Sequence, residues 1–452
     1  MDYDDFSIRF ETDGPLACKV GVSCRRGEAT APFAPPPGAA HGKQLGADLF
    51  NAVMAPPVRT LFDESLAASG SLGRGLRIRL CFNRREPRLA ALSDLPWELM
   101  YRADRDQFLA LQLATPVVRH LAVPQRNDLA PVTAPLRVLV AAASPSGLPR
   151  LATEREQGAI QRLTAERGLL AATFVARPTR DSLRRSLVEP CDVFHFIGHG
   201  GFDAATGDGC LVLDREDALL GREADRDLNN PGSFKDENGQ LGGSAGLAPV
   251  ELLSGALLAC LLTGRQGPRL AVLNACDTAV SASAPALQPF GGVAAALVLG
   301  GVPAVIAMQR PITDCAACDF SAALYERIAA GESLEEAVAE ARRAIHARKP
   351  DDFEWATPVL FLRLDNGRMF AQPGSLHPSD STPPMLGEQR TRNEVRLDVG
   401  TAHGRVDIHG SEGPADAGAA GDNNLVTARL GTIHGPLSVS GRKTGNVERN
   451  DD

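Results

Sequence analysis

His199 and Cys276 each directly follow an apolar stretch of the chain, and together they have the chemistry of a thiol nucleophile and its base. A cysteine attacks as the thiolate, and a neighbouring imidazole takes its proton and later protonates the leaving amine. The apolar stretches, 193–197 and 269–274, predict strands, and active sites of open α/β sheets lie at strand ends. Spacing alone leaves two alternatives open, because a cysteine after a buried strand is often a small core residue and the glycines around His199 also suit a tight turn.

The glycines that flank His199 are a second chemical feature. They would let a substrate backbone approach closely and leave the N–H of Gly200 free to face an oxyanion. With the N–H of Cys276, this would make a two-donor oxyanion hole. Asp203 and Asp277 lie near the pair in sequence, and they either orient the imidazole and line a pocket or are solvated loop acids.

No metal or cofactor is predicted. Cys315 and Cys318 have CxxC spacing, but no second CxxC or HxxxH pair accompanies them. Residues 198–201 lack the Lys-Ser/Thr of a phosphate-binding loop, which argues against a nucleotide site.

The elements that must position these residues alternate between strand and helix from residue 135 onward, which predicts an α/β fold with a mostly parallel sheet. Predicted strands are 136–143, 172–176, 193–197, 269–274, 304–308 and 357–364, and predicted helices include 153–168 (Thr153 as N-cap with Glu156), 181–187, 249–262 and one that begins at the Ser333/Glu336 capping box. Before them come a hairpin from the alternating Phe6, Ile8 and Phe10, a proline-rich linker at 31–40, a helix from Leu45 and a strand at 76–82.

Composition and the order of the predicted elements divide the chain into three segments: an N-terminal lobe (1–130), the α/β segment that carries His199 and Cys276 (131–372), and a Pro/Ser linker with a Gly/Asn-rich tail (373–452). The tail has too few large apolar residues for its own core, although 395–399 and 425–430 alternate like short strands. No helical or solenoid repeat appears at the usual periods. The tail is a flexible end, a partner-recruiting short-strand module or an autoinhibitory segment.

The charge of the chain limits the classes of partner to be expected, and its cysteines indicate the cellular compartment. The 452 residues carry a formal net charge of −8, and no run of basic residues exceeds two, so neither nucleic acid nor an anionic membrane is expected as a direct partner. Nine irregularly spaced cysteines and an acidic N-terminus without a signal peptide predict free thiols in the cytoplasm. The apolar run 291–308 is broken by Pro303 and several glycines, which predicts a buried helix, a turn and a strand rather than a membrane span.

The segments 194–200 (FHFIGHG) and 273–278 (LNACDT) resemble the two signature motifs of CHAT domains, caspase-like cysteine peptidases related to caspases and separase. Residues 95–98 (LPWE), 135–139, 301–309 and 355–358 match other pieces of the same family in order. The resemblance covers residues 45–364.

The resemblance implies a caspase-like sheet flanked by helices with an N-terminal α+β lobe and a low-complexity C-terminal tail. It implies a cysteine endopeptidase that hydrolyses peptide bonds in partner proteins through an acyl-enzyme, with His199 as base and Cys276 as nucleophile. Gly200 and Cys276 would supply the oxyanion N–H groups, Gln309 would line a pocket, and His195 would be structural. Because such dyads often have no third side chain, a backbone carbonyl is expected to orient the imidazole.

The family also implies control by another component and a setting such as bacterial antiviral defence or regulated cell death. The length of the 202–248 loop predicts a mobile activation or self-cleavage segment. The alternative function is a catalytically silent scaffold or protein-interaction module.

Overall fold

Most of the chain up to residue 371, and six short strands beyond it, are described in the computed structural model. The described ranges are 1–14, 17–36, 41–83, 89, 91–121, 129–145, 148–168, 170–202, 209–215, 250–263, 267–278 and 289–371, followed by the strands between 394 and 440. Asp203 and most of the predicted activation segment, 203–208 and 216–249, lie outside them.

The helices and strands alternate after residue 135 as expected for an α/β chain. The helices are α1 (Gly42–Val53), α2 (Pro56–Ser71), α3 (Thr153–Arg167), α4 (Arg180–Ser186), α5 (Gly255–Leu262), α6 (Pro289–Gly300), α7 (Asp314–Ala329) and α8 (Leu334–Arg348). The strands of the first 371 residues are β1 (Tyr3–Asp13), β2 (Ala17–Cys24), β3 (Gly27–Phe33), β4 (Gly75–Phe82), β5 (Tyr101–Arg102), β6 (Gln107–Phe108), β7 (Val117–Leu121), β8 (Leu136–Ala142), β9 (Leu170–Ala176), β10 (Val193–Phe202), β11 (Gly209–Asp214), β12 (Val250–Ser254), β13 (Leu270–Thr278), β14 (Ala304–Met308) and β15 (Pro358–Leu362).

One mixed sheet runs through this part of the chain. From one edge its order is β9, β8, β10, β13, β14, β15, β7, β4, β1, β2 and β3, and the second half of β10 also pairs with β11, which pairs with β12. Strands β9, β8, β10, β13 and β14 are mutually parallel, and their near-continuous apolar sequences are typical of strands buried on both faces. The fold is therefore the predicted α/β class, a central sheet flanked by helices.

The N-terminal strands continue the same sheet. Strand β7 pairs with β15 through Arg119 and Phe361, so the sheet passes from the first 130 residues into the rest without interruption. The predicted hairpin is confirmed, with Phe6, Ile8 and Phe10 buried on one face of β1. The proline-rich linker begins later than predicted, because Ala31–Phe33 belong to β3. This strand lies at the edge of the sheet, where a proline such as Pro32 is tolerated although it cannot donate a hydrogen bond.

Two strands differ from the sequence prediction because a long-range partner extends them. Strand β10 continues to Phe202, since residues 199–202 pair with β11, a buried strand inside the predicted 202–248 loop. Residues 250–254 form β12 instead of the start of a helix because they pair with β11, and the helix begins after Ser254, whose hydroxyl caps it.

Helix ends follow capping chemistry, with one exception. The Ser333/Glu336 capping box is present at α8, and Gly168 ends α3 in the left-handed conformation with φ +60. The predicted Thr153 cap is wrong: the N-cap position is Ala152, because the Glu156 side chain is buried in the core instead of bonding the helix end.

Met1–Leu376 form one compact unit and His377–Asp452 a second. The run 291–308 contains the end of α6, a turn and β14, as predicted. Among the described helices, none combines the length and apolar character that a bilayer crossing requires. The strands of the second unit are β16 (Glu394–Val399), β17 (Ala402–His403), β18 (Val406–His409), β19 (Leu425–Leu430), β20 (Ile433–His434) and β21 (Leu437–Ser440).

Candidate active site

The register of β10 and β13 brings His199 opposite Cys276. Gly198 is level with Ala275, but Gly200 is level with Thr278, so two residues of β13, Cys276 and Asp277, face the single residue His199. This is a β-bulge, a feature that locally re-aims side chains and is over-represented next to active sites. The two chemistry-bearing residues singled out by sequence are therefore neighbours on adjacent parallel strands.

Both residues lie inside strands and not in the loops predicted to follow them. His199 pairs with Val212 of β11 on the other side of β10, and its side chain is buried, with 1% exposed. Cys276 and Asp277 belong to β13, which ends at Thr278. The site is consequently held by the sheet itself, which favours precise geometry.

Tight packing explains one of the glycines around His199. A Cβ atom added at Gly198 would lie 2.6 Å from the ring of Phe196 and 3.1 Å from the Cβ of Ala143. Only glycine fits there without displacing β8 or the Phe196 ring. Gly200, the predicted oxyanion donor, lies within β10 in register with Leu211 on one side and Thr278 on the other.

A backbone carbonyl holds the His199 imidazole. Its Nε2 lies 2.9 Å from the carbonyl oxygen of Pro149, in the segment before α3. Because a carbonyl only accepts hydrogen bonds, Nε2 carries the proton, and in the neutral ring Nδ1 is left as an acceptor. Nδ1 is buried and has no hydrogen-bond partner among the described residues. This arrangement leaves the Nδ1 lone pair as the acceptor of the ring.

A buried polar network lies earlier along the two strands that carry His199 and Cys276. The sequence analysis missed it. Glu156 of α3 accepts hydrogen bonds at Oε1 from His195 Nε2 (3.0 Å), from Asn274 Nδ2 (2.6 Å) and from the Ser321 hydroxyl of α7. His195 Nδ1 lies 2.8 Å from the Tyr325 hydroxyl. His195 is thus the hydrogen-bonded core residue that the sequence predicted.

This network joins β10 and β13 to α3 and α7. His195 precedes His199 by four residues on β10, and Asn274 precedes Cys276 by two on β13. Burial, together with the charge of Glu156, raises the pKa of Tyr325 well above its usual value, so the phenol stays protonated. The polar residues inside two otherwise apolar strands, His195 and Asn274, were the available sequence signal for this network.

Gln309, the predicted pocket residue, bonds a buried carboxylate. It follows β14 and is buried, and its amide nitrogen donates to Glu98 Oε2 at 2.6 Å. Glu98 is fully buried and also forms a two-pronged pair with Arg119, at 3.0 Å and 2.6 Å. The side chain of Gln309 therefore ties β14 to the N-terminal part of the chain. Glu98 belongs to the LPWE segment, so this motif supplies a buried carboxylate to the joint between the two halves of the sheet.

A further chemical candidate is the CxxC pair. Cys315 and Cys318 lie in the first turns of α7, where burial and neighbouring carboxylates raise the pKa of Cys318 to about 11. In the part of the chain that the structure describes, no cluster of His, Cys, Asp and Glu has the makings of a metal site.

Residues 43–378 match the CHAT domain. The chain belongs to the CHAT domain family. No curated protein sequence matches this CHAT chain significantly. Among solved structures, it is similar to separase in the Saccharomyces cerevisiae separase–securin complex, with 15% identity, a TM-score of 0.34, and coverage of 64% of this chain and 15% of separase. It is also similar to the Arg-specific cysteine proteinase gingipain R, with 11% identity, a TM-score of 0.39, and coverage of 72% and 71%.

Proposed function

We propose that this CHAT domain protein is a cysteine endopeptidase that hydrolyses peptide bonds in partner proteins through His199 and Cys276. The observation that carries the proposal is the β-bulge that sets His199 opposite Cys276 while the Pro149 carbonyl occupies Nε2 of the imidazole. Among the described residues, Nδ1 of His199 has no hydrogen-bond partner, and thiolate formation requires such an acceptor for the thiol proton.

In the proposed mechanism, Nδ1 of His199 takes the proton of the Cys276 thiol, and the thiolate sulfur attacks the substrate carbonyl carbon. The negative charge that develops on the carbonyl oxygen is met by the backbone N–H groups of Gly200 and Cys276. Breakdown of this tetrahedral species transfers the His199 proton to the leaving amine and leaves a thioester on Cys276. Water, deprotonated by the same imidazole, then hydrolyses the thioester and releases the acid.

The CHAT resemblance extends the proposal to a cytoplasmic enzyme controlled by another protein, in antiviral defence or regulated cell death. Asp277 adjoins Cys276 in the bulge, and its position supports a role in orienting the dyad or lining the substrate pocket. The segment 202–248 keeps its proposed role in activation only for the parts outside β11, because β11 is buried in the sheet.

The direct test is mapping of new protein N-termini in cells that express the chain. We expect cleavage products with the unmodified protein that disappear with Cys276→Ala and with His199→Ala. The matched control is Cys315→Ala, which removes an exposed cysteine far along the sequence and should leave the products unchanged. Products that persist in Cys276→Ala would refute the assignment of the nucleophile.

Thiol reactivity distinguishes a catalytically silent CHAT scaffold from an active enzyme. An activated Cys276 has a pKa lowered to roughly 3.5–7.5 and is alkylated by iodoacetamide at pH 7 well before the other cysteines. Burial raises the pKa of Cys81 and of Cys191 to about 11, so these thiols are the slow internal references. If Cys276 reacts as slowly as they do and no new N-termini form, the scaffold function stands instead.

A further inference from the structure

The six short strands of the second unit share one register. Strand β16 pairs with β19, β17 with β20 and β18 with β21, and all three pairs are parallel. Glu394 is level with Leu425 (425 − 394 = 31), and the other two pairs have the same offset. Three successive strands that stack on the next three with a constant offset have the register of a two-coil parallel β-solenoid.

The amino-acid sequence repeats with the same period. Residues 393–410 and 424–441 align without gaps, and apolar residues recur at the strand positions of both copies. The identical pairs are Asn393/Asn424, Val395/Val426, Gly400/Gly431, Thr401/Thr432, His403/His434, Gly404/Gly435 and Gly410/Gly441. The sequence analysis missed this repeat because it occurs only twice and at a period outside the common ones.

Each strand of these two coils has an open edge. Among the described residues, every one of the six strands pairs with a single partner, so one side of each ladder is unpaired. A solenoid coil buries its interior by stacking on its neighbours, and about three repeats are needed for stability. Unpaired strand edges are also templates for a further chain. The described strands make two such coils, one fewer than that number.

We propose that a second copy of this chain stacks on the open edges of the tail. The first coil (β16–β18) of one copy then pairs with the second coil (β19–β21) of the next. The interface that such stacking needs already exists within one chain, where the first coil pairs with the second in register. Because the contact joins two different surfaces, it does not close on a dimer and produces an open, head-to-tail assembly.

The charges along β16 and β19 favour this alternating order. The register sets Asp398 level with Arg429. Alternate stacking places Asp398 level with Arg429 again at every junction, whereas two first coils that meet through the same open edge would pair antiparallel and lose this register. Opposite charges at facing positions stabilise paired strands, and like charges destabilise them.

The test is sedimentation velocity of the full chain over a range of concentrations, in a Cys276→Ala background that prevents self-cleavage. We expect species larger than dimers that grow with concentration. Asp398→Arg or Arg429→Asp alone should raise the concentration needed for assembly roughly tenfold, and the double exchange should restore it. Rescue by the double exchange distinguishes register-specific stacking from general charge effects.

Two proline variants test the strands themselves. Ala428→Pro removes a ladder donor inside β19 and should abolish the large species, whereas Ala419→Pro, between the two repeats, should leave them unchanged. Circular dichroism should show the first unit folded in both variants. A chain that is monomeric at every concentration, or assemblies that are insensitive to both Ala428→Pro and the charge variants, would overturn the proposal.

Discussion

The carbonyl oxygen of Pro149 lies 2.9 Å from Nε2 of His199 and fixes which nitrogen of that imidazole carries the proton. A side-chain carboxylate in this position would add a negative charge next to the ring, whereas a carbonyl orients it with a dipole only. The dyad is thus oriented by the main chain that precedes α3, in keeping with the expectation from the sequence.

The first prediction concerns this tautomer. In the neutral state, His199 should carry its proton on Nε2 and leave Nδ1 unprotonated, because only Nε2 faces an obligatory acceptor. Nitrogen-15 NMR of histidine-labelled protein distinguishes the two ring nitrogens, and the His199→Gln spectrum identifies the signals by their loss. A proton on Nδ1 would contradict the hydrogen-bond assignment and the mechanism built on it.

The second prediction concerns the Glu156 network as a positioning device. Glu156→Gln replaces an oxygen that serves three donors with an amide that brings its own N–H groups, and it should cost about 1–3 kcal/mol of unfolding free energy. Because Asn274 precedes Cys276 by two residues, we also expect kcat to fall while KM changes little.

The control for this variant is Glu154→Gln, on the same helix, whose exposed side chain forms an ion pair with exposed Arg150. It should change the unfolding free energy by less than about 1 kcal/mol and leave kcat unaltered. Both rates are compared well below the melting temperature, so that the fraction folded is equal. An unchanged kcat in folded Glu156→Gln would mean that the network is structural only.

How far the sequence could predict this site depends on the range of the interactions. Apolar runs and capping residues are local, so β14 and α8 were identified correctly from them. The lengths of β10 and β12 depend on pairing with β11, a partner that no local pattern reveals. Glu156 was interpreted as a capping residue for the same reason, because its partners His195 and Ser321 are distant in sequence.

The third prediction concerns the buried joint at Glu98. Glu98→Ala leaves the buried guanidinium of Arg119 without its carboxylate partner and the amide nitrogen of Gln309 without its acceptor, and we expect a loss of about 3–5 kcal/mol in unfolding free energy. Urea unfolding measures it. The surface variant Glu332→Ala, which breaks the half-exposed pair with Arg327, should cost about 1 kcal/mol or less. Equal losses in the two variants would show that the joint does not depend on this carboxylate.

The fourth prediction concerns the alkaline limit of stability. Burial, with a smaller effect from Asp192, raises the pKa of Cys191 to about 11 in the folded chain, above that of an unfolded cysteine. The unfolded state therefore loses its proton first, and the contribution of this thiol to stability is complete below about pH 8.5 and declines as the pH rises towards 11.

Comparison with Cys191→Ala isolates this contribution. The stability difference between the unmodified protein and the variant should shrink by up to about 1.4 kcal/mol for each pH unit across that interval, because alanine has no proton to lose. Urea unfolding of both proteins under reducing conditions, at several values from pH 8 to pH 11, measures the difference directly. A difference that stays constant or widens with pH would mean that the Cys191 thiol ionises as readily in the folded chain as in the unfolded one, against its burial beside Asp192.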